Sequence, residues 1–298
     1  MRKLKAWLQA SRLPSQSYIF FPLLLGQTVH YGRTGQLNWA VFLLLHLYGL
    51  FLQLFIVYAN DRADIETDRL NTTFTIFSGG SRTLVNGLIS VRENYAAVLT
   101  VVILNAAVGL ALTAFFQSML ALPLIALSLG LLWLYSFAPV RLSYRGGGEL
   151  LQMLGVGMVL PVFGYYGQAG ALTAFPWHLL AFILPCQLAC AMATALPDEP
   201  SDRASSKRTA AVLLGPVVVK LAIIGLNGSS IIFFFLFSPA PLHYTIAALL
   251  LPAVCFAGML ALRTASPPGS RRLALFVTCA VGDNVLLMAA AALLFFLT

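Results

Sequence analysis

Four acids crowd into eight residues of this chain, in the run Asn60-Asp61-Arg62-Ala63-Asp64-Ile65-Glu66-Thr67-Asp68, although all 298 residues hold only ten acids. In a continuous helix Asp61, Asp64 and Asp68 fall at i, i+3 and i+7 and share one face. Like charges on one face repel, so a cation is expected among them. Clustered hard oxygens, with Asn60 as a neutral ligand, suit Mg2+ better than a soft metal. The alternative is a solvated helix end whose acids pair with Arg62 and Arg69. A second run, Asp198-Glu199-Pro200-Ser201-Asp202, sets two aspartates at i and i+4. That spacing is common on exposed helices, and Pro197 and Pro200 put its helicity in question. Cations follow both runs: Ser78-Gly79-Gly80-Ser81-Arg82 after the first, Lys207-Arg208-Thr209 after the second. Glycines let backbone N–H groups approach an anion, and Arg presents a forked donor to phosphate oxygens. Either segment alone is compatible with an ordinary turn. Together they describe carboxylates holding Mg2+, Mg2+ holding a diphosphate, and Arg and Lys neutralising its remaining charge.

The elements that must position these residues are apolar helices. The chain is 59% hydrophobic and only 9% charged, with a mean hydropathy of +0.87; soluble domains carry about 25% charged residues. Short alternating segments of a membrane β-barrel are absent. An all-α integral membrane protein is expected, one domain over residues 1–298, with nine helices long enough to cross ~30 Å of hydrocarbon. They are placed at 18–31, 37–59, 95–116, 119–137, 150–167, 177–196, 211–237, 244–262 and 273–297, the first holding Pro22. Every Lys and Arg except Arg33 and Lys220 falls at the N-terminus or in the loops after even-numbered helices, as does every acid except Asp283. Positive charge marks the cytoplasmic side, so the N-terminus and both acid clusters are assigned to that face. The net charge of +8 is this topology signal and does not point to nucleic acid. The basic amphipathic start runs into the first helix without a signal-peptide cleavage site. The clusters are four helices apart, which suggests two four-helix pseudo-repeats plus a ninth helix, with the clusters facing each other across a central cavity.

The remaining polar residues are ambiguous. Cys186, Cys190, Cys255 and Cys279 read as small core residues, without zinc-type spacing. Sequons at Asn71 and Asn227 fall on the cytoplasmic side and inside a helix and read as chance. His30, His46, His178 and His243 read as structural. Gln53, Gln152 and Gln187 either line the cavity or bridge helices. Asp283-Asn284, deep in the last helix, is either a functional acid or a neutral, paired one.

A ligand with a polyanionic head and a hydrocarbon tail fits a charged membrane face above an apolar bundle. An isoprenyl diphosphate has both, and aromatic faces can stabilise the allylic cation left on ionisation. The sequence resembles the UbiA superfamily of intramembrane aromatic prenyltransferases. Its first signature, N-D-x-x-D-x-x-x-D, is matched by Asn60, Asp61, Asp64 and Asp68. Its second, D-x-x-x-D followed by G-K-x-T, is matched by Asp198, Asp202, Lys207 and Thr209. Ser78–Arg82 with Gly87-Leu88-Ile89-Ser90, and the run Tyr135–Glu149, look like segments of the menaquinone-type members. The resemblance implies Mg2+ held by Asn60, Asp61, Asp64, Asp68, Asp198 and Asp202, the five aspartates being catalytic. It implies Arg82, Lys207, Arg141, Arg145 and Tyr135 near the diphosphate or the acceptor. The partners would be the lipid bilayer, a polyprenyl diphosphate and an aromatic acceptor: 1,4-dihydroxy-2-naphthoate first, with 4-hydroxybenzoate or homogentisate as alternatives. The setting would be quinone or lipid biosynthesis in a bacterial inner membrane. Departures stand at Ser205-Ser206, where a Gly usually precedes the Lys, at Pro200, and at Ala195 in place of an Asn. A transporter is the rival from another class. A CDP-lipid phosphotransferase is disfavoured because its D-G-x-x-A-R run is missing.

Overall fold

The computed structural model describes residues 2–75 and 78–298 and is helical throughout, with one isolated bridge, Thr75 to Ser78, among the described residues. A short helix α1 (Arg2–Ala10) leads through a 3-10 turn into α2 (Ser17–Thr34). Then follow α3 (Trp39–Ala63), the single turn-and-a-half α4 (Ile65–Leu70), α5 (Val91–Phe116) and α6 (Ala121–Ser136). The second half holds α7 (Gly148–Leu154), a π-helical turn at Gly155–Val159 and α8 (Leu160–Ala169). It continues through α9 (Leu180–Ala195), α10 (Glu199–Ala204), α11 (Ala210–Leu214), α12 (Pro216–Phe237), α13 (Leu242–Ala261) and α14 (Arg271–Leu297).

Seven of these stretches are long and apolar enough to cross a membrane: Trp39–Ala63, Val91–Phe116, Gly148–Ala169, Trp177–Ala204, Pro216–Phe237, Leu242–Ala261 and Arg271–Leu297. The expected nine included two more, and both are helical but weaker as spans. α2 carries Pro22, Gln27, His30 and Arg33 in 18 residues. α6 has 16 residues, about 24 Å of helix.

Local chemistry explains the boundaries. The Asn38 side chain accepts from the Ala40 and Val41 N–H groups at the start of α3. Ser90 and Glu93 form a reciprocal capping box on α5. The expected helix over 211–237 breaks at Gly215, because Pro216 disfavours helical backbone before it and Gly215 adopts φ +84°. Pro197 and Pro200 interrupt nothing. Each occupies the first turn of a new helical piece, where its missing N–H is not needed.

α2 and α8 cross at very close range. A Cβ on Gly26 would overlap the Pro161 carbonyl, and one on Gly164 would overlap the Leu23 carbonyl. That approach packs α2 tightly on α8, and α14 closes onto α2, where Gly32 meets the Phe295 carbonyl. Large side chains such as Ile103 and Val254 remain exposed on the outer faces, as expected where the surrounding solvent is lipid.

Lys220 does not line a conduction path. Its ammonium donates to the Leu262 and Thr264 carbonyls and the Ser266 hydroxyl at 2.9–3.1 Å. It thus satisfies carbonyls at the C-terminal end of α13, where a cation is favourable. Cys186 and Cys190 are buried and all four thiols are free. Gln187 bridges helices, donating to Asn284 at 3.3 Å. Asn227 is buried against the Ile223 carbonyl.

Candidate active site

Both acid clusters come together at one end of the bundle. α3 ends at Ala63 and α4 begins at Ile65, so Asp64 sits at a one-residue break (φ −102°, ψ 12°) that the continuous-helix reading did not anticipate. The i to i+4 bonds nevertheless persist across it, Asp64 N–H to Asn60 at 2.9 Å and Asp68 N–H to Asp64 at 2.8 Å. The three aspartates therefore remain neighbours, and all three are buried.

Each carboxylate has a distinct environment. Asp61 receives Arg12 Nη2 at 2.7 Å, the Ser81 N–H at 3.1 Å and the Ser81 hydroxyl. Asp64 receives Lys207 Nζ at 2.8 Å on one oxygen and the Tyr144 hydroxyl at 3.3 Å on the other. Asp198 receives the Asn71 amide at 2.6 Å and the Gly79 N–H at 2.9 Å. Asp202 lies 3.8 Å from Lys207 Nζ, and its carbonyl holds the Lys207 N–H at 2.8 Å. Lys207 thus reaches a carboxylate from each half, while Asn71 and Gly79, which follow the first cluster, hold the second. Glu66 and Glu199 pair instead with Arg69 and Arg203.

Asp68 differs, because its side chain has no hydrogen-bond donor among the described residues. Burial, followed by Asp64, Asp61 and Asp198, pushes its pKa up to about 8, with Arg12 opposing. Its carboxylate faces Gly80, where a Cβ would overlap it. Burial also works against the Lys207 charge, but Asp64, Tyr135 and Asp202 outweigh it and hold the ammonium well above the usual lysine range.

The cations stand on strained backbone. Arg12, Arg82 and Arg141 adopt φ of +43°, +63° and +45°, a region non-glycine residues enter only when their surroundings over-determine it. Arg82 donates to the Asp68 carbonyl and lies over the Phe74 ring at 4.8 Å. Arg141 donates to the Ala63 carbonyl at 3.2 Å and stacks over Tyr144 at 3.5 Å. Asn60 Oδ1 accepts from the Ser136 hydroxyl at 3.5 Å. Tyr135 packs its ring on Gly148 and lies in the field of Lys207 and Asp64. Arg145 is not brought in; it is exposed and donates to the Pro139 carbonyl at 2.8 Å.

Arg12, Asn71, Ser81 and Tyr144 also hold these carboxylates. Arg12 was counted only as a topology charge, and Asn71 only as a chance sequon. Their one sequence signal was proximity to the motifs, in a loop or beyond a turn.

Among the described residues no three His, Cys, Asp or Glu side chains stand at the spacing that holds a metal ion. Arg12 and Lys207 occupy the carboxylates instead. The donor set still fits Mg2+. Asn60, Asp61, Asp64, Asp68, Asp198 and Asp202 offer only hard oxygens, and Asp68 is an undonated carboxylate in a cradle that only glycine leaves open.

The sequence over residues 19–280 matches the UbiA prenyltransferase family. The chain belongs to that family. It is 30% identical over 178 residues to the 2-carboxy-1,4-naphthoquinone phytyltransferase of Synechocystis sp., a match covering 59% of this chain and 54% of that protein. The chain thus spans about half the length of this curated relative. Its fold is that of a UbiA homolog from Archaeoglobus fulgidus bound to DMAPP and Mg2+, with a TM-score of 0.70 at 19% identity, covering 98% of this chain and 99% of that one. The apo UbiA homolog from Aeropyrum pernix K1 superposes with a TM-score of 0.67 at 18% identity, covering 93% and 96%.

Proposed function

We propose that the chain transfers a polyprenyl group from an isoprenyl diphosphate to an aromatic acceptor in a Mg2+-dependent reaction. One observation carries this reading. The Nε–H donors of Arg12 and Arg82 are buried beside Asp61 and Asp68 with no acceptor among the described residues. A buried unsatisfied donor costs on the order of 1–3 kcal/mol, more when charged. The site is therefore short of an anion in a place lined with carboxylates, and the anion that suits it brings its own cations, as a Mg2+-bound diphosphate does.

Asn60, Asp61, Asp64 and Asp68 from one half and Asp198 and Asp202 from the other would hold Mg2+, which when bound neutralises the charge of the leaving diphosphate. Arg12 and Lys207 would move their donors from carboxylates, and Arg82 its donor from the Asp68 carbonyl, to phosphate oxygens. Arg141 and Tyr144 cover the Asp64 side of the site. The prenyl tail would lie among the apolar helices. The acceptor's own electron-rich ring is the nucleophile, so no Ser, Cys or His attacks.

The preferred acceptor is 1,4-dihydroxy-2-naphthoate, supported by the Synechocystis relative, named for a naphthoquinone substrate. The structures of the Archaeoglobus homolog with DMAPP or GPP and Mg2+ support the donor class. We read α2 and α6 as completing nine spans in two four-helix repeats plus α14, and the charge asymmetry supports a cytoplasmic site in a bacterial inner membrane. Against transport stands the capping role of Lys220, which leaves Asp283 as the deep charge among the described residues. The test is diphosphate release from geranyl diphosphate by the purified protein, with and without Mg2+ and 1,4-dihydroxy-2-naphthoate. Release that ignores both additions would overturn the reading.

A further inference from the structure

The short helix α1 stands apart from the bundle's core yet is tied to the acid cluster. It packs Ala6, Trp7 and Ala10 inward, with the Trp7 ring edge-on to Tyr58 at 5.5 Å. Lys3 Nζ reaches both oxygens of Glu93, at 2.7 and 2.8 Å, in the first turn of α5. Tyr58 and Glu93 lie near the ends of two apolar spans, Trp39–Ala63 and Val91–Phe116. These contacts fix α1 at the depth where those spans end. Its remaining surface is amphipathic. Leu4 and Leu8, about one helical turn apart, are 65% and 51% exposed. Arg2 and Lys5 flank them, exposed and without a hydrogen bond or ion pair among the described residues. At its other end α1 leads into the site. Gln9 Nε2 donates to the Ser81 carbonyl at 2.7 Å, and Ser81 in turn donates to Asp61 through both its N–H and its hydroxyl. Just past the end of α1, Arg12 adopts φ +43° and donates to the same carboxylate at 2.7 Å.

We propose that α1 is an interfacial helix that seats on anionic phospholipid, and that this seat holds Arg12 and Ser81 in place for the donor. The coupling to the donor rests on the prenyltransfer reading above; the lipid seat does not. Charge and position single out the partner. Leucines at the end of a membrane span enter the boundary between headgroups and acyl chains, and cations beside them meet lipid phosphates. Arg2 and Lys5 have no carboxylate partner among the described residues, so an anionic leaflet complements them. The left-handed backbone at Arg12 persists only where its flanks are held, and α1 is the flank on its N-terminal side. Lipid that orders α1 therefore also orders the guanidinium and the Ser81 donors that meet at Asp61.

The test places the full chain in nanodiscs of phosphatidylcholine, with and without phosphatidylglycerol. Hydrogen exchange of the α1 amides reads the seat, and the KM for geranyl diphosphate reads the coupling. In wild type, phosphatidylglycerol should slow α1 exchange. The double variant Arg2→Gln, Lys5→Gln should lose that slowing, and in phosphatidylglycerol its KM should exceed wild type by about fivefold or more, the effect of one surface cation. In phosphatidylcholine alone the two proteins should match. A direct pull of Arg2 and Lys5 on the diphosphate would separate them in both lipids and overturn the proposal. The pair Leu4→Gln, Leu8→Gln keeps every charge and should speed α1 exchange in both lipids. Lipid-indifferent exchange in wild type overturns the proposal, as does unchanged exchange in the leucine variant. An equal KM for wild type and the Arg2, Lys5 variant in phosphatidylglycerol overturns it too. So does protection that follows the number of chains per disc, which would assign the face to a second copy. Lipid-dependent exchange in a protein inactive with every acceptor would keep the seat and sink the prenyltransfer reading instead.

Discussion

Lys207 Nζ lies 2.8 Å from Asp64 Oδ2, joining residues 143 positions apart and with them the two halves of the bundle. Both partners are almost fully buried. The attraction between two such charges must first offset their desolvation, so the pair as a whole adds little to stability, whereas removing one partner strands the other.

That asymmetry predicts a double-mutant result. Asp64→Asn and Lys207→Met should each destabilise the protein by about 3–5 kcal/mol, and the double variant should be less destabilised than the sum. Thermal unfolding in detergent micelles measures this. Strict additivity of the two losses would show that the pair is not a coupled unit.

Asp64→Ala and Asp198→Ala should each abolish transfer while the protein still inserts into membranes. Asp64 is bonded to Lys207 and Asp198 to Asn71 and Gly79, so each variant removes a carboxylate from a different half. Full activity in either purified variant would remove the paired carboxylates from the mechanism.

Asp68 makes metal binding depend on pH. With its pKa raised to about 8, the folded protein without metal keeps a proton that the unfolded chain loses near pH 4. Between those values the folded state binds more protons, so stability falls as pH rises through the window. Mg2+ requires the deprotonated carboxylate, so its affinity should rise as pH rises toward 8, with a proton released on binding. Calorimetric titration in buffers of different ionisation enthalpy detects that proton. Asp68→Asn should lower the release, and a proton count near zero in wild type at pH 7 contradicts the assignment.

Two glycines separate backbone strain from lost space. Gly80 and Gly87 both adopt φ +66°. A Cβ at Gly87 meets nothing, whereas one at Gly80 overlaps the Asp68 carboxylate. Gly87→Ala should cost about 1–2 kcal/mol of stability, the ordinary penalty for that conformation, and retain activity. Gly80→Ala should lose Mg2+ affinity and transfer as well. Equal kinetics in the two variants would argue against the cradle.

The arginines of the 138–147 loop should behave differently. Arg145 is exposed and among the described residues its guanidinium reaches only the Pro139 carbonyl, so Arg145→Ala should change transfer less than about threefold. Arg141 covers Tyr144 and the end of α3, and Arg141→Ala should lower kcat tenfold or more. Initial rates at saturating donor distinguish the two.

Much of this protein was legible without coordinates. Helical periodicity, apolar run length and the placement of basic residues are local properties of the chain, and they determined the all-α membrane class. The spacing of Asp61, Asp64 and Asp68 survived the break at Asp64 because the i to i+4 bonds bridge it. Continuity of helix over 211–237 was misread, because the Gly215-Pro216 pair outweighed hydropathy. What only the tertiary structure decided was which charges meet. A basic residue near the N-terminus is one of many in sequence, yet the left-handed turn at Arg12 aims it at Asp61. Arg145 sits inside a familiar-looking loop, yet faces away from the cluster. Asn71 looks like a sequon, yet holds Asp198. Such pairings depend on where backbone separated by dozens of residues is brought within 3 Å, and that is set by the packing of α2 on α8 and by loop conformations that no short-range pattern encodes.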